Sequence, residues 1–341
     1  MKYGYNSTLA WDLTVPISIK FLRKGEIIMK CNIHKVVFAC LFAWFACIIQ
    51  EDCSARERPI QVVTTTTVLS SIVESIGGDR VEVTSIATGH QDPHFVEAKP
   101  SYMMKVKNAD LFIRIGMELE IGWERLILDG SRNHKVAIGQ PGHLDVSEGV
   151  ERLEVPTQKI DRSMGDLHPF GNPHYWLDPL NGKIVAKNIS MGLARVSPAD
   201  AEYFNNNYLD FAKRVDEAMV RWTAELKPYK GSKLITYHNS WPYITNRFGL
   251  VIVDQLEPKP GIPPGPGHIV EVIEKMKNEN IKVLLMEPFY DKKPANFVQG
   301  KTGAKVVSVA NCVGGSEESR DYIFMIDAIV VGLANAFKEN Q

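Results

Sequence analysis

The sequence predicts an α/β protein of two lobes with parallel sheets, joined by one long rigid helix, with a cleft between the lobes. Three observations carry this. Strand-like β-branched segments alternate with helix-like segments over most of the chain, the rhythm of a mostly parallel sheet covered by helices. One helix-like stretch, from Ser197 to about Leu226, divides that rhythm into two halves. Histidines stand just beyond strand-like segments in both halves.

The elements follow in order. Gln61–Thr67 (QVVTTTT) reads as a buried strand. Val68–Ile76 has helical spacing, and Gly77-Gly78 is a stop signal. Val81–Ile86 is a strand, Pro100–Asn108 a short helix and Asp110–Ile115 a third strand. Ser197 suits an N-cap and Pro198 the first helical position. The helix they open, about 29 residues long, reaches roughly 43 Å and suits a connector between lobes. Pro228 and Gly231 end it. In the second half, strands Lys233–Thr236, Val251–Asp254, Val283–Met286 and Val306–Val309 alternate with helices Trp241–Arg247, Pro266–Asn278 and Pro294–Thr302. Asp321–Phe337 is a closing helix. The segment Glu257–Gly267 (EPKPGIPPGPG) is a stiff loop rather than a linker, because secondary structure resumes directly after it.

The 341 residues carry 39 Lys and Arg against 40 Asp and Glu, and 45% are hydrophobic. That balance gives no basic block for a nucleic acid and ample material for cores. The apolar run Val36–Ile49 follows Lys30 and Lys35 and precedes Cys53-Ser54-Ala55. It is shorter than the roughly 20 residues of a membrane helix and matches a signal peptide. Export to the periplasm or another extracytoplasmic space follows, with a membrane-anchored form as the alternative. The mature chain is expected to begin near Arg56, and Met29 is the expected true start. The chain thus divides into 1–55 (a spurious extension plus signal peptide), an N-terminal lobe over 56–196, a connecting helix over 197–228 and a C-terminal lobe over 229–341. Of five cysteines, only Cys312 lies beyond residue 55, so a metal site would use imidazoles and carboxylates.

Three histidines sit beside Pro or aromatic residues: His94 in Asp92-Pro93-His94-Phe95, His174 in Asn172-Pro173-His174-Tyr175-Trp176, and His238 in Tyr237-His238-Asn239-Ser240-Trp241. Ligands of open α/β sheets bind beyond the carboxyl ends of strands, where His94 and His238 fall. One such histidine is more often structural; three, spread over both halves, point to a shared metal site. Imidazole suits zinc and other borderline divalent ions. Glu287, just after Val283–Met286, is the carboxylate candidate; its bland alternative is a salt-bridged loop residue. His90 and His168 read as outer or entry residues, since Asp92-Pro93 argues against a helix pairing His90 with His94.

These motifs resemble the cluster A-I metal-binding proteins of ABC transporters, from about Gln61 to the C-terminus. The carrying residues are Asp92-Pro93-His94 with Pro100, Asn172-Pro173-His174-Tyr175-Trp176-Leu177-Asp178-Pro179, Tyr237-His238-Asn239-Ser240-Trp241, Glu287-Pro288 and Thr302-Gly303-Ala304-Lys305. The resemblance implies His94, His174 and His238 as metal ligands in a cleft between two lobes linked by a long helix. Two places depart from the family. Asn311 stands where its fourth ligand is often Asp, and residues 144–165 lack the histidines that many zinc-binding members carry.

The reading is therefore a non-catalytic, monomeric receptor that delivers a metal ion to the membrane permease of a metal ABC transporter. Three imidazoles and one oxygen donor favour Zn2+, since Mn2+, the alternative, prefers more oxygen ligands. Glu287 is the first choice for the fourth donor, direct or outer; Asn311, His168 and water are the others. The rival functions are a secreted zinc hydrolase, for which Glu287 would be the base, and a metal-binding adhesin or chaperone without a transporter.

Overall fold

The computed structural model of the chain describes residues 19–21, 27–29, 58–158 and 165–340. The run Val36–Ile49, the expected cleavage site and four of the five cysteines lie outside the described residues. Strands Ile19–Phe21 (β1) and Ile27–Met29 (β2) pair antiparallel within a unit of their own, residues 1–54. The second unit, Ala55–Gln341, carries both lobes.

In the first lobe, Ile60–Thr64 (β3), Val81–Ser85 (β4), Leu111–Arg114 (β5) and His143–Asp145 (β6) form a parallel sheet ordered β4-β3-β5-β6. In the second, Lys233–Thr236 (β7), Val251–Gln255 (β8), Val283–Met286 (β9) and Lys305–Ser308 (β10) form a parallel sheet ordered β10-β9-β7-β8. Parallel strands need crossovers, and helices supply them. Thr67–Gly77 (α1) leads from β3 to β4, and Pro100–Lys107 (α2) from β4 to β5. Glu124–Ser131 (α3) packs beside α2.

The expected strand Gln61–Thr67 stops at Thr64. The Thr65 and Thr66 peptides turn the chain into α1; the Thr64 hydroxyl pairs with Ser70 and that of Thr65 with Glu120, while those of Thr66 and Thr67 are buried without a partner. An 18-residue helix, Pro179–Val196 (α4), was not expected. Gly182, Asn188 and Gly192 blur its apolar period, yet Val185, Ala186, Ile189 and Leu193 bury one face against its neighbour. Gly182 is needed there, because a Cβ would lie 2.1 Å from the Tyr322 hydroxyl.

The long helix is Ala201–Leu226 (α5), 26 residues or roughly 39 Å. It is entered through a 3-10 turn, Pro198–Asp200, and left through another, Lys227–Tyr229. Ser197 does not cap it as expected: its hydroxyl donates to the Asp200 carboxylate at 2.7 Å instead. Phe204, Phe211, Val215, Ala218, Trp222 and Leu226 form one buried stripe of α5. That stripe joins a continuous core containing Ile60 and Val62 of the first sheet and Leu234 and Leu285 of the second. Each lobe adds a smaller core of its own.

The second lobe is completed by Pro242–Phe248 (α6), Pro266–Asn278 (α7), Lys292–Thr302 (α8) and Tyr322–Lys338 (α9). Helix α8 starts two residues before the expected Pro294, because Asp291 caps it by accepting the Lys293 N–H, and proline is tolerated in a first turn.

Candidate metal centre

Two of the histidines are aimed by the same local device. In Asp92-Pro93-His94, the Asp92 Oδ1 accepts the His94 backbone N–H at 2.9 Å and lies 2.7 Å from its Nδ1. In Asn172-Pro173-His174, the Asn172 Oδ1 accepts the backbone N–H of His174 at 3.0 Å and lies 2.9 Å from Nδ1. A short polar side chain bonding the backbone two residues on is an Asx turn, and the proline between holds the chain extended. The carboxylate and the amide oxygen can only accept, so Nδ1 carries the proton and Nε2 keeps its lone pair. His238 stands two residues beyond β7, and its Nδ1 is 2.6 Å from Glu257 Oε2, which also accepts the Gly261 N–H at 3.0 Å. All three imidazoles thus have an outer acceptor, the arrangement that fixes metal-ligating histidines.

One ring nitrogen from each of His94, His174 and His238 lies within 4.8 Å of the others. Tetrahedral zinc, with bonds of 2.0–2.1 Å, places its donors roughly 3.3 Å apart, so small inward shifts suffice. The three rings line a cavity of about 30 Å³ together with His168, Asp166 and Glu154. This is room for a bare ion with a water, far below the roughly 300–1,000 Å³ of organic-ligand pockets.

Burial, reinforced by His94 and His238, holds His174 well below the usual imidazole range. The same causes bring His168 down to about 3. His238 is different: burial pulls it down, but the Glu257 hydrogen bond and charge, with Glu287 and Asp92, raise it overall. Asp92 is lowered despite burial, because His94 donates to it from ring and backbone. Burial pushes the Tyr290 phenol up, so it stays a donor. Burial likewise lifts the Cys312 thiol to about 12, removing it as a thiolate donor; it is the free cysteine among the described residues.

The structure brings the three histidines together and leaves Glu287 outside that tight group. Glu287 stands at the carboxyl end of β9, fully buried, its two oxygens lacking a well-formed hydrogen bond and eased only in part by Ser240. Burial lifts its carboxyl to about 7, with His238 pulling the other way. Asn311 is also buried with an unpartnered Oδ1, while its backbone carbonyl accepts from the Trp176 indole at 2.8 Å. His168 lies 5.3 Å from His94 between ring centroids, its Nε2 buried and unpartnered. His90 is exposed.

Sequence reasoning missed Asp92, Asn172 and Glu257 as the acceptors behind the rings. The repeated spelling Asx-Pro-His was a legible signal for the first two. Glu257 stands just beyond β8, so the rule that led to Glu287 could have led to it as well.

Comparison with known proteins agrees with this architecture. A solved structure described as ZnuA superposes with a TM-score of 0.70 at 24% identity, over 82% of this chain and 99% of that one. A manganese-bound periplasmic metal-binding protein from candidatus Liberibacter asiaticus superposes at 0.67 and 19% identity, over 80% and 98%. In sequence, the chain is 25% identical to the manganese ABC transporter substrate-binding lipoprotein PsaA of Streptococcus anginosus, over 88% of this chain and 97% of the relative. It is 27% identical to the iron-binding protein YfeA of Yersinia pestis, over 86% and 91%. The family model described as "Zinc-uptake complex component A periplasmic" matches residues 62–336, nearly the whole second unit, and the chain belongs to that ZnuA family.

Proposed function

We propose that this protein is the extracytoplasmic, metal-binding component of a metal ABC transporter, which takes up one divalent cation and hands it to a membrane permease. The observation that carries the reading is the convergence of three ring nitrogens, each ring backed by its own acceptor, on an ion-sized cavity. His94, His174 and His238 are the proposed ligands. Zinc is the proposed cargo, because three imidazoles suit it better than manganese, which favours oxygen. The family model is named for zinc uptake while the relatives PsaA and YfeA are named for manganese and iron, so kinship is divided and donor chemistry is what favours zinc.

For the fourth donor we keep Glu287, direct or as an outer charge. Its buried, poorly satisfied carboxylate sits beside His238 and would gain from a cation. His168, already at the cavity wall, is the alternative. The small cavity speaks against a hydrolase acting on an organic substrate. The proposed division is a lobe over 56–196, a connecting helix over 197–228 and a lobe over 229–341, in an exported, monomeric chain.

The test is competitive titration of metal-free protein with Zn2+, Mn2+ and Fe2+ against a chelator of known affinity. One ion per chain, zinc tightest, is the expected result. Manganese binding tighter than zinc would overturn the cargo, and no stoichiometric binding of any of the three would overturn the function.

A further inference from the structure

His174 and His238 stand on one fastened block. The Asn172 side-chain amide donates to the Asn239 carbonyl at 2.8 Å and to Glu154 at 2.9 Å. The Tyr243 hydroxyl donates to the Asn172 carbonyl at 2.7 Å and accepts the Leu153 N–H at 3.0 Å. Arg247 pairs with Asp178 from the same helix α6.

His94 stands differently. It sits on the loop between β4 and α2, held from its own lobe by the Trp123 indole on the Pro93 carbonyl at 3.0 Å. Among the described residues, one side-chain hydrogen bond reaches this loop from the other lobe: the Tyr290 hydroxyl donates to Asp92 Oδ2 at 2.9 Å. The other oxygen of the same carboxylate holds His94 Nδ1. Tyr290 is itself immobilised, its ring stacked on Tyr237 with centroids 4.5 Å apart and planes 10° from parallel. Tyr237 immediately precedes His238, whose ring is 5.9 Å from that of Tyr290. One chain of contacts therefore runs from the His238 strand end through Tyr237, Tyr290 and Asp92 to His94.

We propose that Tyr290 is a positioning residue that latches the His94 loop to the opposite lobe through Asp92, and so sets how long the ion is retained. This rests on the metal-binding reading above. His94 is the ligand able to leave, because the Tyr290 phenol makes the one side-chain hydrogen bond, among the described residues, from the second lobe to its loop, whose start also packs by Gly89 on the Val313–Gly315 backbone. The latch aims its Nε2 at the other two imidazoles. Without the phenol, Asp92 Oδ2 can be met by water, since that side chain is 13% exposed, so the ring stays ligating but less firmly placed. Loss of an outer-shell partner typically lowers metal affinity 10–100-fold, and changes within one binding site fall mainly on dissociation.

The experiment measures release of Zn2+, with Mn2+ in parallel, from the loaded full chain into an excess of chromogenic chelator by stopped flow. Tyr290→Phe keeps the stacked ring and deletes one hydroxyl. It should release the ion about tenfold faster, while association changes less than twofold. Asp92→Asn should also release faster, and Tyr290→Phe added to it should have little further effect, because both act through one contact. A wild-type release rate in Tyr290→Phe, or an equal acceleration on top of Asp92→Asn, would overturn the latch. A slower association with unchanged release would overturn it too, showing Tyr290 to guide entry. If the wild-type chain binds neither ion, the metal reading itself fails; if wild type binds and the variants match it, only the latch fails.

Discussion

The two Asx-Pro-His segments of this protein have the same local chemistry and different surroundings. In both, one side-chain oxygen takes the backbone and ring protons of the histidine two residues on. Asp92 is charged and finishes its bonding with a phenol from the other lobe. Asn172 is neutral and uses its amide protons as well, on Asn239 and Glu154. After His174 come Tyr175, Trp176 and Leu177, all fully buried; after His94 comes Phe95, 61% exposed. The motif fixes which nitrogen is left free for the proposed ion, and the setting decides whether the proposed ligand is anchored or movable. A charged acceptor suits the movable case, since water can solvate a carboxylate when the loop opens. An amide with four bonds to make suits the anchored one.

The largest expected effect puts the two segments on an equal footing. His94→Ala and His174→Ala should each lower zinc affinity by more than the roughly 100-fold upper range of an outer-shell loss, and His238→Ala likewise. Titration against a chelator measures this. If His94→Ala binds as wild type while His174→Ala does not, the two segments are not equivalent and His94 is no ligand. Glu287→Gln comes next, at about tenfold or more, with Asn311→Ala costing less. Wild-type affinity in Glu287→Gln together with failure of Asn311→Ala would move the fourth position to the β10 end.

Exchanging the two acceptors separates anchoring from aim. Asn172→Asp replaces two donated hydrogen bonds by repulsion against Glu154 and the Asn239 carbonyl, and should destabilise the metal-free fold by about 1–3 kcal/mol. Asp92→Asn can still accept from His94, so its fold stability should change by less than about 1 kcal/mol while zinc affinity falls. Denaturant unfolding of both metal-free proteins decides it, and equal losses would erase the distinction.

The ion itself should report the difference locally. Zinc at a thousand-fold excess over Kd stabilises the fold by about 4 kcal/mol if it binds the native state alone. Hydrogen exchange should show that gain mainly at amides 86–99, because amides 172–178 already lie in a bonded block. Uniform protection would mean that the His94 loop is as fixed as the other.

What the amino-acid sequence makes legible follows the same division. Parallel sheets, the long helix, His94 and His238 follow from period and strand-end position, and His174 from its proline and aromatic neighbours, all local properties. Helix α4 was not legible, because Gly182 and Gly192 interrupt its apolar face and serve close approaches to Tyr322 and Leu144, which only the fold creates. Strand β6 has three residues and no period to read. The outer partners split likewise: the acceptors Asp92 and Asn172 are two residues from their histidines, while the acceptor Glu257 is 19 residues from His238 and the donor Tyr290 is 198 from Asp92. Those pairings are set by the sheet order and not by spacing.

The smallest expected effect tests why the His174 side is firm. Behind Tyr175, whose hydroxyl donates to the Ile115 carbonyl, the loop after β5 is held by buried Glu120. Glu120 accepts from the backbone N–H groups of Ile115 and Gly116 and from the Thr65 hydroxyl. It thereby fixes a left-handed run at Gly116, Met117 and Glu118, with φ of 80°, 53° and 68°, strained for the two non-glycine residues. Burial, with the charge of Glu124, lifts its carboxyl to about 7, against 4.5 unperturbed. Between those two pH values the folded chain holds a proton that the unfolded chain has lost. The contribution of Glu120 to stability therefore falls as pH rises from 4.5 to 7 and is level above. Glu120→Gln stays neutral throughout and lacks that slope, although its amide gives up an acceptor. The stability of the variant relative to wild type should therefore improve by on the order of 1 kcal/mol between pH 5 and pH 7.5. Denaturant unfolding of metal-free protein at both pH values measures it. A difference that is constant with pH would show Glu120 to be ionised in the fold throughout, leaving its hydrogen bonds alone to hold the loop beneath Tyr175.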